Sequence, residues 1–311
     1  MDNIFQKIKR NVIYFLLIKP YSLINRFNRI NLNNNIYIFA MGRGGSTLLL
    51  EALNSGLRRS TKVWEPLAAG GVKIKALKKW KFTNQPLIPE KTKEPELYSI
   101  FENLFKGRIL NLSLIYVNYG KLLLIPFNKY LIFKFCRGNL LLPWLVTNFN
   151  IKPILLLRSP YAIINSQVNH NAYSELKKTP SFHVTSNVPF YNEYKKHEAV
   201  FNSCNTMEEH LAIKWALNLQ IIHHKNHNKK WLTIFYEDLV RNPKKELLKI
   251  KNYIGLPINI EKSVDSMKKT SSTGSSGKKN KLSPQQINLI DGILEKMNVL
   301  NFTKEHFKEI N

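Results

Sequence analysis

A glycine-rich turn near the start of the chain brings together residues of the types that bind phosphate. Residues 42–47 read Gly-Arg-Gly-Gly-Ser-Thr, and they separate an apolar run, Ile36–Ala40, from a leucine-rich stretch. A loop between a buried strand and a helix presents backbone N–H groups together with a helix N-terminus, and these attract phosphate. No Lys follows the glycines, so the segment is not the nucleotide-binding loop of P-loop kinases. It predicts an anion-binding turn, with a purely structural turn as the alternative.

A second candidate for anion binding lies where a later apolar run ends. Arg158 follows the run Pro153–Leu157, Pro160 suits the first turn of a helix, and Ser166 comes eight residues after Arg158. Ligands of open α/β sheets bind beyond the carboxyl ends of the strands, where an Arg can hold a phosphate through two hydrogen bonds. The segment therefore predicts a phosphate contact, and an ordinary surface Arg beside a helix is the alternative.

The elements that must position these residues follow from the apolar pattern. Buried strands are predicted at Ile36–Ala40, Tyr130–Phe135, Pro153–Leu157 and residues 231–236, with a short strand at 62–66. Helices are predicted at residues 48–53, 139–148, 161–169, 207–224 and 243–254. Strands that alternate with helices indicate an α/β fold with a central, mainly parallel sheet flanked by helices.

Composition narrows the function classes. The 311 residues can bury a substantial core, and 44% hydrophobic with 22% charged residues excludes global disorder. Lys and Arg number 47 against 21 Asp and Glu, and this formal net charge of +26 favours anionic partners. With only Cys136 and Cys204, a disulfide scaffold and a four-cysteine zinc site are excluded, and a reducing compartment is the simpler interpretation. No apolar run approaches the roughly 20 residues of a membrane-spanning helix.

The two anion-binding segments are more specific together than either is alone. They resemble the two halves of the donor site of sulfotransferases that use 3'-phosphoadenosine 5'-phosphosulfate (PAPS), in particular the carbohydrate and tyrosyl branch. Residues 43–48 are similar to the loop that holds the 5'-phosphosulfate, and residues 157–166 are similar to the 3'-phosphate motif with its Arg and Ser eight apart. Residues 235–243 resemble the strand and helix that close many members of the family.

The resemblance implies an enzyme with a P-loop-like three-layer fold that uses PAPS as sulfuryl donor and requires no metal. The residues expected to bind the donor are Arg43, Gly44, Gly45, Ser46, Thr47, Arg158, Ser166, Thr270 and Ser271. The last two belong to residues 268–281, whose composition alone would indicate a linker. We expect instead a loop that orders over the donor, because its five lysines, without an acid, repel one another until an anion arrives.

Three residues are expected to carry the transfer itself. Lys134, near the end of its predicted strand, resembles the family lysine that faces the transferring group, and Arg43 supplies further positive charge. Glu65, followed by proline, resembles the Glu-Pro of carbohydrate sulfotransferases and is the predicted general base. A salt bridge of Glu65 with Arg43 or Lys134, and a snorkelling Lys134, are the structural alternatives. If Glu65 is not the base, His170 and His183 are the next candidates.

The chain is predicted to hold a basic, partly amphipathic N-terminal arm, residues 1–30, and one sulfotransferase-like domain, residues 31–311. The arm has six Lys and Arg against one Asp, which fits either a packing helix or a helix on a membrane surface. The expected acceptor is a glycan or another hydroxyl compound, and no nucleic acid is expected as a partner. The predicted location is the cytoplasm, and association with a membrane is left open. A nucleotide-dependent P-loop kinase, and a non-enzymatic basic protein that binds anionic lipid or nucleic acid, are the alternative functions.

Overall fold

The computed structural model describes residues 11–12, 14–27, 31–67, 74, 76–77, 86, 88–111, 113–115, 128–170, 195–223, 230–273 and 281–307. The strands in this part of the chain are β1 (Ile36–Ala40), β2 (Ser60–Trp64), β3 (Tyr130–Phe135), β4 (Pro153–Leu157) and β5 (Leu232–Phe235). The α-helices there are α1 (Lys19–Phe27), α2 (Ser46–Gly56), α3 (Pro95–Phe105), α4 (Leu142–Asn148), α5 (Pro160–Val168), α6 (Glu198–Asn202), α7 (Met207–His223), α8 (Tyr236–Arg241), α9 (Pro243–Ile254), α10 (Ile260–Thr273), α11 (Pro284–Lys296) and α12 (Leu300–His306).

The five strands are all parallel and lie in the order β2-β3-β1-β4-β5. β1 is central, with β3 on one side and β4 on the other. The chain leaves β1 towards β2 at one edge of the sheet, whereas it leaves β4 towards β5 at the opposite edge. The crevice at the carboxyl ends of β1 and β4 therefore lies where the connections diverge, which is where open α/β sheets bind their ligands.

Alternating side chains build a core on each face of this sheet. Ile36, Ile38 and Ala40 of β1 share one buried cluster with residues of α2, α9 and α10. Tyr37 and Phe39 belong to the cluster on the other face, together with residues of α3, α4, α7 and α11. The layers are thus helix, sheet and helix. The predicted P-loop-like three-layer fold with a central parallel sheet is confirmed.

Most strand bounds agree with the sequence pattern, and one needs correction. β1, β3 and β4 have the predicted bounds, and β5 lies within the predicted residues 231–236 because Tyr236 already begins helix α8. β2 is predicted at residues 62–66 but spans Ser60–Trp64. Its pairing with β3 begins with Ser60 opposite Tyr130, and the strand ends where Glu65 adopts a positive φ of 47°.

The loop predicted at residues 268–281 is also corrected in part. Helix α10 continues to Thr273, so the backbone of Thr270 and Ser271 is helical. Ile260, Ser263 and Met267 form a buried face at helical spacing, which packs the first part of α10 on the domain, whereas Lys268 and Lys269 are exposed. Residues 274–280 lie outside the described residues, and the prediction that they order over a donor stays a prediction.

The N-terminal segment packs on the domain through one face. A π-helical turn, Tyr14–Ile18, leads directly into α1. Ile18 is fully buried, and Tyr21 and Asn25 are nearly so. Arg108 donates a hydrogen bond from Nε to the carbonyl oxygen of Asn25 at 3.1 Å. Among the described residues, no helix has the length and apolar character needed to cross a membrane.

Candidate active site

The strand order sets the order of the predicted site residues along the carboxyl edge of the sheet. Glu65 follows β2, Lys134 lies near the end of β3, the loop with Arg43 follows β1, and Arg158 follows β4. Tyr236 follows β5 and completes the row. Residues that are up to 193 positions apart in the sequence, Arg43 and Tyr236, are thereby brought to one crevice.

The glycine-rich turn holds its backbone in conformations that leave no room for side chains. Gly45 has a φ of 90°, and a Cβ atom there would lie 2.2 Å from the ring of Tyr236. A Cβ at Gly44 would lie 2.8 Å from the carbonyl oxygen of Met41. Ser46 then begins α2, with Gly45 as its N-cap. The turn therefore brings its N–H groups and the helix N-terminus to the crevice, as an anion-binding loop requires.

The two predicted anion-binding motifs contact each other directly. Arg43 donates from Nε to Oγ of Ser166 at 3.0 Å, and Arg158 donates from Nη1 to the carbonyl oxygen of Arg43 at 2.8 Å. The guanidinium of Arg158 also lies 4.4 Å from the ring centroid of Tyr236. Within the described part of the chain, neither arginine has a carboxylate within 4.0 Å. We call Arg43, Arg158, Ser166 and Tyr236 the arginine side of the site.

A compact ion pair occupies the other side. Lys134 Nζ lies 3.0 Å from Oε1 of Glu65 and donates to Oγ1 of Thr47 at 3.2 Å. The Lys134 ammonium also lies 3.4 Å from the ring centroid of Trp64. The second carboxylate oxygen of Glu65 accepts the backbone N–H of Cys136 at 2.9 Å. We call Lys134, Glu65 and Cys136 the Lys134–Glu65 side. Both charged side chains are largely buried, with exposed fractions of 5% and 13%.

Backbone strain coincides with these side chains. Arg43 and Glu65 have positive φ angles of 71° and 47°, a conformation that costs energy for residues with a Cβ atom. Such conformations persist where the surrounding contacts hold them, and they are frequent at functional sites. At Glu65, a backbone hydrogen bond from its N–H to the carbonyl oxygen of Lys134 at 3.1 Å helps to hold the turn.

Burial shapes the titration of the thiol beside the ion pair. The pKa of Cys136 is raised from 9.0 to about 12, first by burial and next by the negative charge of Glu65. Its Sγ lies 3.2 Å from Oγ of Ser46, the first residue of α2. The Lys134–Glu65 side therefore disfavours an additional negative charge at Cys136.

Several residues that support the arginine side were not predicted as site residues. Glu237 accepts the backbone N–H of Ser159 at 3.0 Å, and burial raises its pKa despite this hydrogen bond and the charge of Arg158. Trp215 donates from Nε1 to the carbonyl oxygen of Arg158 at 3.0 Å, and Gln167 donates to the carbonyl oxygen of Gly42 at 2.8 Å. Tyr236 and Glu237 lie in the block that carries the third resemblance, which was a usable signal. Trp215 and Gln167 sit within helical patterns that give none.

The structure brings together most of the predicted site residues. Arg43, Ser46, Thr47, Lys134, Glu65, Arg158 and Ser166 all take part in the contacts given above, with Gly44 and Gly45 forming the turn between them. Glu65 and Lys134 form the salt bridge that the sequence left as an alternative. An ionised Glu65 in such a pair can still accept a proton. Thr270 and Ser271 are placed only as helical backbone. His183 lies outside the described residues.

The comparison with protein families decides between the alternatives that the sequence left open. A model described as "Sulfotransferase domain" matches residues 33–304, which is most of the chain. The chain belongs to the sulfotransferase family. The predicted enzyme class, a PAPS-dependent sulfotransferase, is thereby confirmed, and members of this family act on hydroxyl acceptors. The P-loop kinase and the non-enzymatic basic protein are no longer supported.

Solved structures of sulfotransferases are similar to this sulfotransferase at low identity. Mouse SULT7A1 complexed with PAP is 16% identical, with 88% of this chain and 89% of that chain covered and a TM-score of 0.46. The sulfotransferase domain of the Synechococcus PCC 7002 olefin synthase is 18% identical, with 83% and 94% covered and a TM-score of 0.38. The sulfotransferase from Alicyclobacillus acidocaldarius is 12% identical, with 86% and 94% covered and a TM-score of 0.40. No curated protein sequence matches the chain.

Proposed function

We propose that this sulfotransferase moves the sulfuryl group of PAPS to a hydroxyl of a carbohydrate, with an amine as the alternative acceptor group. The observation that supports the proposal best is the meeting of Arg43, Arg158 and Ser166 at the carboxyl ends of β1 and β4. Two arginines with no carboxylate within 4.0 Å in the described part of the chain, beside the N-terminus of α2, favour a ligand with several anionic groups. PAPS is such a ligand, and it supplies the sulfuryl group that the family transfers.

The residues present fit a bound donor. Nε of Arg158 is buried and has no hydrogen-bond partner among the described residues, so a donor phosphate would satisfy it. Arg158 and Ser166 are proposed to hold the 3'-phosphate, and residues 43–47 the 5'-phosphosulfate. Met41 and Tyr236 occupy the positions that Cβ atoms would take at Gly44 and Gly45, so only glycine fits at these two positions of the loop. The raised pKa of the Cys136 thiol keeps that group neutral near pH 7, so it adds no repulsion.

The Lys134–Glu65 side fits the proton and charge transfers that the reaction needs. As the acceptor oxygen bonds to sulfur and the bond from sulfur to the donor phosphate breaks, the acceptor proton passes to a base and negative charge grows on the leaving oxygen. Glu65 is proposed as the base. Lys134 lies between Glu65 and Thr47 of the donor loop, so its ammonium is positioned to stabilise that growing charge.

Positive charge beyond Lys134 supports an acidic carbohydrate as the acceptor. Arg137 follows the Lys134–Glu65 side in sequence, and its Nη1 is buried without a hydrogen-bond partner among the described residues. Lys214 of α7 lies near enough for the charge of Arg137, together with burial as the larger cause, to lower the pKa of Lys214 to about 8. A glycan that carries a carboxylate or sulfate would match these two cations.

We propose that the enzyme works in the cytoplasm and associates with a membrane through residues 1–30. Both cysteines are free thiols, Cys204 buried and Cys136 partly so, which suits a reducing compartment. Fractionation of cells into soluble, peripheral-membrane and luminal pools tests this location. A second measurement asks whether Cys136 and Cys204 are reversibly oxidised in the cell. Recovery of the enzyme in a luminal pool, protected from added protease, would contradict the cytoplasmic location.

A transfer assay tests the function itself. PAPS labelled with radioactive sulfur is incubated with the enzyme and a panel of neutral glycans, acidic glycans, tyrosine peptides and simple amines. We expect label on glycans, and most on acidic ones. A mock preparation from cells that lack the enzyme serves as the blank, so label that appears with it reports a contaminant. Transfer only to tyrosine peptides or amines would replace the carbohydrate, and no transfer to any acceptor would contradict the proposal.

A further inference from the structure

Exposed apolar side chains are concentrated in one short segment before the domain. Five of the large apolar side chains that the structure exposes lie in residues 12–24, and 41–67% of each is exposed. They are Val12, Phe15, Leu16, Leu23 and Ile24. The remaining ones in the described chain are scattered over four separate sites, Tyr98, Val240, Leu248 and Leu289. Single exposed apolar residues are common on soluble proteins, but a contiguous group marks an interaction site. We call the five residues of this group the apolar stripe.

The spacing of the stripe places it on the outer face of a helical segment that is fixed to the domain. Phe15 and Leu16 follow Val12 by three and four positions, which puts all three on one side of a helix. The face that packs inward carries Ile18 and Tyr21 instead, and both are buried. Because the inner face is held by the domain, the stripe points outward from a rigid support rather than from a free tail.

Positive charge accompanies the stripe, and residues 11–27 hold no acid. Residues 11–27 contain Lys19 and Arg26 and no Asp or Glu, and residues 1–10 add Lys7, Lys9 and Arg10 against a single Asp. Lys19 is exposed, and its Nζ lies 5.2 Å from the ring centroid of Phe15. A long side chain in this position can extend its ammonium towards a charged surface while its methylenes cover apolar neighbours.

We propose that the apolar stripe docks on the surface of an anionic lipid bilayer, with Phe15, Leu16 and their neighbours among the lipid headgroups and Lys19 at the phosphates. Apolar side chains with cations nearby, in a segment without acidic residues, match a bilayer whose interior is apolar and whose headgroups are negative. The segment lies on the membrane and does not span it. This inference rests on the proposed membrane association and names the residues that make the contact. It does not depend on sulfuryl transfer.

Vesicle binding without donor or acceptor tests the docking surface. The full chain is mixed with vesicles of phosphatidylcholine, or of phosphatidylcholine with an equal amount of phosphatidylserine, and sedimented. We expect binding to the anionic vesicles only. The double variant Phe15→Ser, Leu16→Ser should weaken it on the order of 10- to 100-fold, because two largely exposed apolar side chains lose their burial in the interface. Lys19→Gln should weaken it about fivefold.

A matched control separates the stripe from general positive charge. Val240→Ser removes an apolar side chain of similar exposure, 48%, from α8, and it should leave vesicle binding unchanged. Thermal unfolding checks that every variant is folded, which is expected because the substituted side chains are exposed. Binding to anionic vesicles that survives the double variant would assign the contact to charge elsewhere and overturn the proposal. No vesicle binding by the unaltered chain, or a stripe variant that only converts a dimer to a monomer, would overturn it equally.

Discussion

The two sides of the active site treat charge in opposite ways. On the arginine side, Arg43 and Arg158 contact a hydroxyl, a carbonyl oxygen and an aromatic ring, and no carboxylate of the described residues lies within 4.0 Å of either guanidinium. On the Lys134–Glu65 side, the cation already has a carboxylate at 3.0 Å, and the thiol of Cys136 is held neutral by burial and by that carboxylate. The first arrangement attracts an anion, whereas the second is already close to neutral.

This difference predicts a division of work that single substitutions can separate. Loss of Arg158 or Ser166 should weaken donor binding, because the 3'-phosphate they are proposed to hold does not react and is bound equally in the ground state and the transition state. Changes on the Lys134–Glu65 side should lower turnover, because the proton and the leaving-group charge move only during reaction.

The largest effect is expected from Glu65→Gln. The amide keeps the shape of the side chain and an oxygen for the N–H of Cys136, but it cannot take a proton, so turnover should fall on the order of 100- to 10,000-fold with donor affinity retained. Initial rates and calorimetric binding of adenosine 3',5'-bisphosphate measure the two quantities. Glu51→Gln is the matched control, since Glu51 pairs with Lys62 at 2.7 Å outside the site. Normal turnover of the Glu65 variant would move the base to His170 or His183.

The next effect concerns the thiol of Cys136. A pKa raised from 9.0 to about 12 lowers the thiolate fraction at pH 8 about a thousandfold, so alkylation by iodoacetamide should be slower in the folded enzyme by that order. Mass spectrometry of the labelled peptide measures the rate, with unfolded protein as the reference. The rate in the folded enzyme should keep rising with pH beyond 9, where the rate in the unfolded protein levels off. Equal rates in folded and unfolded protein would show that the Lys134–Glu65 side does not exclude negative charge.

On the arginine side, Arg158→Ala should raise the dissociation constant for the donor about 10- to 100-fold while turnover at saturation changes little. The side chain donates a charge-assisted hydrogen bond, worth roughly 1.5–3 kcal/mol, to a phosphate that does not react. Arg241→Ala removes an exposed arginine that lies 3.8 Å from Asp238 and should leave both quantities unchanged. Collapse of turnover with unaltered donor affinity would show that Arg158 acts in the transfer step and not in donor binding.

The smallest effect is expected from Ser166→Ala. The hydroxyl is neutral and accepts one hydrogen bond from Arg43, so donor affinity should fall about 2- to 10-fold. Because Ser166 also positions Arg43, the double variant with Arg43→Ala should lose less affinity than the two separate losses combined. Fully independent losses, measured by the same calorimetry, would show that the contact between Arg43 and Ser166 is incidental.

The sequence predicted the strands better than their arrangement. β1, β3 and β4 are continuous apolar runs because both faces are covered by helices, and their bounds could be read directly. The order β2-β3-β1-β4-β5 arises from long-range pairing that no local pattern encodes. Helix α11 was missed although Ser283 and Gln286 form a capping box at its start, a readable signal.

In the site, too, local motifs could be predicted from the sequence and long-range contacts could not. Arg43, Arg158 and Ser166 could be found because their motifs have fixed spacing, and the resemblance supplied Lys134 and Glu65. The ion pair between Lys134 and Glu65 could be anticipated only as one alternative, since it depends on β2 and β3 being neighbours. Helix α10 was not predicted, and its last residues fall in the stretch 268–281 whose Ser, Gly and Lys content indicated a loop.

Thermal unfolding with adenosine 3',5'-bisphosphate tests the division between the two sides most directly. At about 100 times its dissociation constant, the ligand should raise the Tm of the unaltered enzyme and of Glu65→Gln by about 5 °C, and that of Arg158→Ala much less at the same concentration. ATP with magnesium, or short DNA, should have little effect, and a chelator should change nothing. Stabilisation by ATP with magnesium instead, or equal stabilisation of Arg158→Ala, would contradict the account.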